Sequence, residues 1–237
     1  MADAAGPGNT RRAAGRRSGT KPTRGAPEPS ATLHITPRVW ERGLALHRVH
    51  LDRYAAAAFN PGHSGNARFS PISDAAGTAI PTLYGGTTFR CAAMETVFHD
   101  VPFAPGLKTL DKRKLEEQMH SVLLPQVDLM LADLCNVPLR KLGVERNRLI
   151  DTEKDTYETT RKWAVAIHAQ HPRVQGLCWT SRQDDRALAA VLFGDRIAAG
   201  SLACQAPSRA LLDDGLVYAE LLALAEMIGV CIVSSRA

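Results

Sequence analysis

No uninterrupted apolar run in this chain approaches the roughly 18 residues that a membrane-spanning helix needs. The arginine pairs near the start, Arg11–Arg12 and Arg16–Arg17, lead into no apolar stretch, so neither a Sec nor a twin-arginine export signal is expected. A soluble, cytoplasmic protein is expected. Cysteine is sparse and scattered: Cys91, Cys135, Cys178, Cys204 and Cys231 stand singly in apolar surroundings with no CxxC spacing. That pattern argues against a zinc site or a disulfide framework and fits buried thiols in a reducing compartment. Glycine pairs occur without GxGxxG or GxxxxGK[ST], which leaves a Rossmann or P-loop nucleotide site unsupported. His47 and His50, three apart in a strand-like stretch, point to opposite faces and make a poor metal pair, so no metal is expected.

What is present is enough apolar residue for one good core, 45% of 237 residues, and an uneven charge. Residues 1–32 carry Arg11, Arg12, Arg16, Arg17, Lys21 and Arg24 against Asp3 and Glu28, which is +4 of the formal +5. The other 205 residues are near neutral, so the basic balance belongs to the tail. Rich in Gly, Ala, Pro, Ser and Arg, that tail has too little large apolar surface to offset its ordering entropy and is expected to be disordered. It offers at most weak contact with nucleic-acid phosphates. One folded domain over 33–237 follows.

Within that domain strand-like and helix-like stretches alternate irregularly. Leu44–His50 reads as a strand with Leu44, Leu46 and Arg48 on the inward face. Residues 59–80 are loop chemistry around Arg68, and PTLYGGTT reads as a short strand closing in a glycine turn. Phe89–Val101 has helical spacing through Met94, Val97, Phe98 and Val101, with Glu95 at the edge of that stripe and Pro102 stopping it. DKRKLEEQ suggests a short charged helix, and strands are expected near 121–124 and 127–134. A helix over Thr152–Gln170 buries Trp163, Ala164 and Ile167. The last third reads strand (GLCWTS), strand (ALAAVLFGD), helix (LVYAELLALAEMIG, ended at Gly229), strand (VCIVSS). Many strands without a βαβ rhythm predict a mixed α+β domain.

Five polar residues interrupt apolar or glycine-rich surroundings: Arg48 in LALHRVH, Arg68 in GNARFSP, Tyr84 in PTLYGG, Glu95 in CAAMETVFH and Ser181 in GLCWTSRQ. Burying a neutral polar group unpaired costs roughly 2 to 7 kcal/mol and a charge more, so a converging site is the economical reading. Ser181 has neither a GxSxG elbow nor an ordered acid and histidine, and is not read as a nucleophile. Tyr54, Trp163 and Trp179 read as core or interface residues.

The ordered set HRVH, NARFSP, LYGGTT, AAMETVFH, GLCWTSRQ and VLFGDR resembles the RES domain of bacterial Res–Xre type toxin–antitoxin systems, from about Leu44 to Arg196. The resemblance implies an ADP-ribosyltransferase-like fold and degradation of NAD+ by phosphorolysis or hydrolysis. It also implies neutralisation by an Xre-type antitoxin and a homodimeric toxin, with Arg48, Arg68, Tyr84, Glu95 and Ser181 as the active-site set. The basic tail and an insert-like stretch, Leu139–Thr152, fall outside that pattern.

NAD+ carries a pyrophosphate, ribose hydroxyls and a pyridinium, and loss of the ring leaves an oxocarbenium ion on the ribose. Arg48 and Arg68 suit the pyrophosphate, because a guanidinium donates two parallel hydrogen bonds and stays charged. Tyr84 offers a ring face to the pyridinium, worth roughly 0.5 to 2 kcal/mol. Glu95 supplies an anion where positive charge develops in the transition state. Ser181 is expected to hydrogen-bond the nicotinamide ribose or amide, and Arg182 to help hold inorganic phosphate as co-substrate. Two alternatives stay open: transfer of ADP-ribose to a protein or nucleic acid, since any nucleophile captures the same cation, and a basic nucleic-acid-binding module, against which the near-neutral body argues.

Overall fold

Thirteen strands and five helices make up the described residues of the computed structural model, 25–62 and 64–234. In chain order they begin with β1 (Pro37–Trp40), β2 (Leu46–Leu51), β3 (Ile72–Ser73), β4 (Ala79–Ile80), β5 (Thr82–Gly86) and α1 (Phe89–Met94). The middle holds β6 (Lys108–Asp111), β7 (Gln118–Pro125), β8 (Leu129–Asp133), α2 (Asn136–Leu142), α3 (Arg146–Leu149) and α4 (Tyr157–Gln170). The chain closes with β9 (Gly176–Thr180), β10 (Leu188–Phe193), β11 (Leu202–Cys204), β12 (Arg209–Ala210), α5 (Gly215–Met227) and β13 (Val230–Val233). The mixed α+β expectation holds. One large sheet runs β1-β8-β9-β10-β5-β2-β7-β11, with β12 also on β7, and only β8–β9 among these pairs is parallel. Two small sheets, β13–β6 and β3–β4, flank it.

Strand alternation sorts the core. On β10, Ala189, Val191 and Phe193 pack toward α4 with Leu177 and Trp179 of β9, while Ala190 and Leu192 face the opposite side with Leu83, Leu131 and Cys178. Helix α4 buries Trp163, Ala164 and Ile167, the face expected from its spacing, and begins later than expected because Lys154–Thr156 form a 3-10 turn. The charged DKRKLEEQ segment likewise makes only a 3-10 turn, Lys112–Leu115. A third cluster joins Phe89, Met94 and Phe98 to Leu221, Leu224 and Val230, so α1 is held between the sheet and α5. Gly229 ends α5 with φ +67, as a left-handed stop requires.

Three expectations change. Residues 1–24 of the tail lie outside the described residues, but 25–32 run against α3 and α4: Arg148 Nη2 of α3 donates to Gly25 O at 2.7 Å, Ala26 N to Thr159 Oγ1 of α4 at 2.9 Å, and Trp163 Nε1 of α4 to Pro27 O at 2.7 Å. Short polar segments order readily when a helix supplies hydrogen bonds to their backbone. The thiols are not uniformly buried: Cys91 and Cys178 are, Cys135 is partly covered, and Cys204 and Cys231 are exposed on an edge strand and an outward strand position. Strand β2 begins at Leu46, leaving Leu44 exposed outside it.

The expected glycine turn after Tyr84 is also corrected, since Gly85 and Gly86 lie inside β5. A side chain at Gly86 would put its Cβ 2.5 Å from Cys91 Sγ, and at Gly85 2.6 Å from Leu46 Cγ. These glycines let α1 and β2 close on the sheet. Gly86→Ala is expected to cost about 1 to 3 kcal/mol through forced displacement of α1, a fall of several degrees in Tm, whereas Gly215→Ala, with nothing within 4 Å of the added Cβ, leaves Tm nearly unchanged. A differential thermal-unfolding comparison checks both.

A second stability effect sits beneath α1. His47 and His120 stack with ring nitrogens 3.0 Å apart, and Phe89 packs edge-on against His120 at 4.8 Å between ring centroids. Burial first, then His47, pull His120 down to about 4. The folded value lies below the unfolded one, so on acidification the unfolded chain takes the proton first. The stability that His120 contributes is therefore fully present above about pH 7 and is lost as pH drops toward 4, by about 2.5 kcal/mol at pH 4.5. Urea midpoints from pH 7.5 to 4.5, flattened in His120→Phe, are the check.

Candidate functional site

One cavity of about 560 Å³ gathers four of the five singled-out residues: Arg48, Arg68, Tyr84 and Glu95. That size falls within the range of small-molecule sites.

Arg48 leaves β2 on the same face as Leu46, and its Nη1 donates to the carbonyls of Ala56 and Ala58 at 2.6 and 2.7 Å. It thus holds the 52–60 loop that carries Tyr54 and Asn60 to the cavity. Burial lowers its guanidinium to about 10, which leaves it protonated at neutral pH.

Arg68 is the most unusual group of the site. It is 4% exposed, and its Nε and Nη2 have no hydrogen-bond partner. The backbone around it is nevertheless tied down. The Arg68 carbonyl accepts from Thr160 Oγ1 of α4, the next amide, Phe69 N, donates to Tyr84 Oη at 3.0 Å, and Arg161 Nη1 donates to Asn66 Oδ1 at 2.8 Å. The guanidinium lies 5.4 Å over the Tyr157 ring. Two buried guanidinium nitrogens left without acceptors are costly to fold, and an anion in the cavity would supply them. Tyr84 is therefore an anchor of the Arg68 loop as well as a wall of the cavity, and burial raises its hydroxyl to about 12.

Glu95 lies at the end of α1, not within a helix running to Val101. Thr88 caps the N-terminus by accepting from Cys91 N, and the helix ends at Met94 with Glu95 as its C-cap. The reason is local. Thr96 Oγ1 donates to Ala92 O at 2.6 Å and Phe98 N, not Val97 N, takes Ala93 O, so the i→i−4 ladder stops. Met94 and Phe98 are buried as the apolar spacing expects, and the carboxylate still faces the cavity.

Ser181 does not line the cavity, which revises the expected contact with ribose or amide. At 1% exposure its hydroxyl donates to Glu95 Oε1 at 2.6 Å and accepts from the amides of Gln183 and Asp184, both at 3.0 Å. With its proton and lone pairs committed, it orients Glu95. Arg182 likewise lies outside the cavity lining: Nη1 donates to Thr152 O at 2.6 Å and Nη2 pairs with Glu153, so it braces the segment before α4 instead of facing the site.

Several residues of the site were not singled out from the sequence. Arg90 forks onto buried Asp184 at 2.8 and 2.9 Å, tying α1 to the Ser181 turn. Arg146, inside the insert-like stretch 139–152, donates to the carbonyls of Thr180 and Ser181. Tyr54 and Trp179, expected in core or interface, both line the cavity, as do His99, Asp100, Lys154 and Tyr157. Of these, only His99 carries a signal in the sequence, its place four residues after Glu95. Among the described residues no three His, Cys, Asp or Glu side chains converge as a metal-holding set, and no helix is long and apolar enough to cross a membrane.

The model of the RES domain matches residues 45–214, a span that contains all of Arg48, Arg68, Tyr84, Glu95 and Ser181. No curated protein matches the sequence. Among solved structures, a chain of the M. tuberculosis MbcT–MbcA toxin–antitoxin complex is similar in fold, with a TM-score of 0.57 at 16% identity over 78% of this chain and 92% of that one.

Proposed function

The chain belongs to the RES domain family, and from that premise we propose that it is the toxin of a toxin–antitoxin pair, an enzyme that cleaves the nicotinamide–ribose bond of NAD+. The observation that carries the reading is the pairing, across one cavity, of a buried arginine with unsatisfied donors and a carboxylate aimed by a buried serine. Arg68, with Arg48 beyond it, receives the pyrophosphate. Glu95 faces the nicotinamide ribose, where positive charge appears as the ring departs neutral, and its negative charge counts most in the transition state. Tyr84 and Trp179 give the aromatic wall for the pyridinium. Capture of the cation by phosphate yields ADP-ribose-1″-phosphate, and capture by water yields ADP-ribose. A protein antitoxin is the proposed partner, of Xre type from the family resemblance, and the toxin is proposed to act as a homodimer in the cytoplasm.

Incubating the purified chain with NAD+, with and without inorganic phosphate, and following nicotinamide by chromatography tests this. Release of nicotinamide supports the reading, and its absence under both conditions overturns it. Label from NAD+ appearing on a protein or nucleic acid, in place of small products, moves the assignment to ADP-ribose transfer.

A further inference from the structure

Below Glu95 the cavity wall holds a hydrogen-bonded row that the proposed chemistry above leaves unused. Asp100 Oδ1 lies 2.7 Å from His99 Nδ1, and His99 Nε2 lies 3.3 Å from the hydroxyl of Tyr157. Lys154 Nζ sits 2.7 Å from the Asp100 carboxylate, and Gln183 Nε2 donates to the His99 carbonyl at 3.3 Å. All of Glu95, His99, Asp100, Lys154 and Tyr157 line the same cavity. The order decides the protons. Lys154 and His99 hold Asp100 below the usual carboxylate range, so Asp100 accepts. His99 then carries its hydrogen on Nδ1 and offers the Nε2 lone pair to Tyr157. Tyr157 is 2% exposed, and burial raises its hydroxyl, so it is a protonated donor. Asp100, His99 and Tyr157 are thus arranged as orienter, base and relay.

We propose that this row is a proton relay that makes water a competent acceptor, and that it sets the partition between hydrolysis and phosphorolysis; the inference rests on the NAD+-cleaving reading. In hydrolysis the bond from ribose C1″ to the ring nitrogen breaks with its electron pair going to nitrogen, and nicotinamide leaves neutral. A water oxygen bonds C1″ and must lose a proton. Tyr157 takes that proton as it passes its own to His99 Nε2, leaving an imidazolium beside the Asp100 carboxylate. Phosphate arrives as a dianion and bonds C1″ through an unprotonated oxygen, so its capture needs no base. Losing the relay therefore penalises water more than phosphate.

The test uses His99→Gln, Tyr157→Phe and Asp100→Asn in the full chain, with NAD+ alone and with saturating phosphate, measuring ADP-ribose, ADP-ribose-1″-phosphate and nicotinamide separately. Tyr157→Phe keeps the ring beneath Arg68 and removes only the hydroxyl. Asp100, its side chain 69% exposed, keeps the test open should the other variants unfold. The expected result is a hydrolysis rate falling about 10- to 100-fold, with the ratio of ADP-ribose to ADP-ribose-1″-phosphate falling at least about tenfold in His99→Gln and Tyr157→Phe. Equal loss of both products, or an unchanged ratio, overturns the relay and marks a structural role. A wild-type enzyme that makes only the phosphate ester overturns it too. Wild-type protein that releases no nicotinamide at all sinks the NAD+ reading itself, a distinct outcome.

Discussion

Glu95→Gln is expected to lower the kcat for nicotinamide release by at least about 100-fold while KM stays within about threefold. Glutamine is isosteric, and its carbonyl oxygen still accepts from Ser181 Oγ, so the turn after α1 keeps its shape and only the charge is lost. Charge matters because the ribose becomes cationic only as the bond breaks. The ground state, with the positive charge on the ring, gains less from Glu95 than the transition state does. Steady-state kinetics with unchanged thermal unfolding is the measurement, and a kcat within threefold of wild type would remove Glu95 from the chemistry. Ser181→Ala gives a smaller loss, about tenfold, because it frees the carboxylate to sample other rotamers without discharging it.

The second large effect has opposite signs in two measurements. Arg68→Ala is expected to raise KM for NAD+ by about 30- to 100-fold, the loss of one or two charge-assisted hydrogen bonds to phosphate. The same substitution is expected to leave the ligand-free protein as stable as wild type or more so, since it deletes a buried cation whose Nε and Nη2 are unsatisfied. Thermal shifts read both: ADP-ribose raises the wild-type Tm and not that of Arg68→Ala. Arg68→Lys restores little, because a point charge does not reproduce the planar fork. A variant that binds ADP-ribose normally, or that unfolds without ligand, contradicts the anion-site assignment.

Much of the architecture was legible in side-chain periodicity. The strand around Arg48, the buried face of α4 and the Gly229 stop all follow from alternation or helical spacing, which are local properties. What failed was also local but subtler. The helix after Phe89 continues in apolar spacing through Val101, yet the Thr96 hydroxyl competes for a backbone carbonyl and ends it at Met94. Gly85 and Gly86 look like a turn because glycine serves turns, whereas here they serve close approach between elements, a feature no spacing encodes.

The site divides the same way. Polar residues stranded in apolar settings pointed to Arg48, Arg68, Tyr84 and Glu95, because the cost of burying them holds whatever the fold. The sequence by itself determined that these groups needed partners and that the fold was mixed α+β. Tertiary structure decided which partners they have. It turned Ser181 from a ligand contact into the support of Glu95, took Arg182 out of the cavity, and brought His99, Asp100 and Tyr157 into one row from either side of a 58-residue separation. The reason is physical: burial cost belongs to a residue and its neighbours in the chain, while a hydrogen bond between distant residues exists only once strands and helices have closed the space between them.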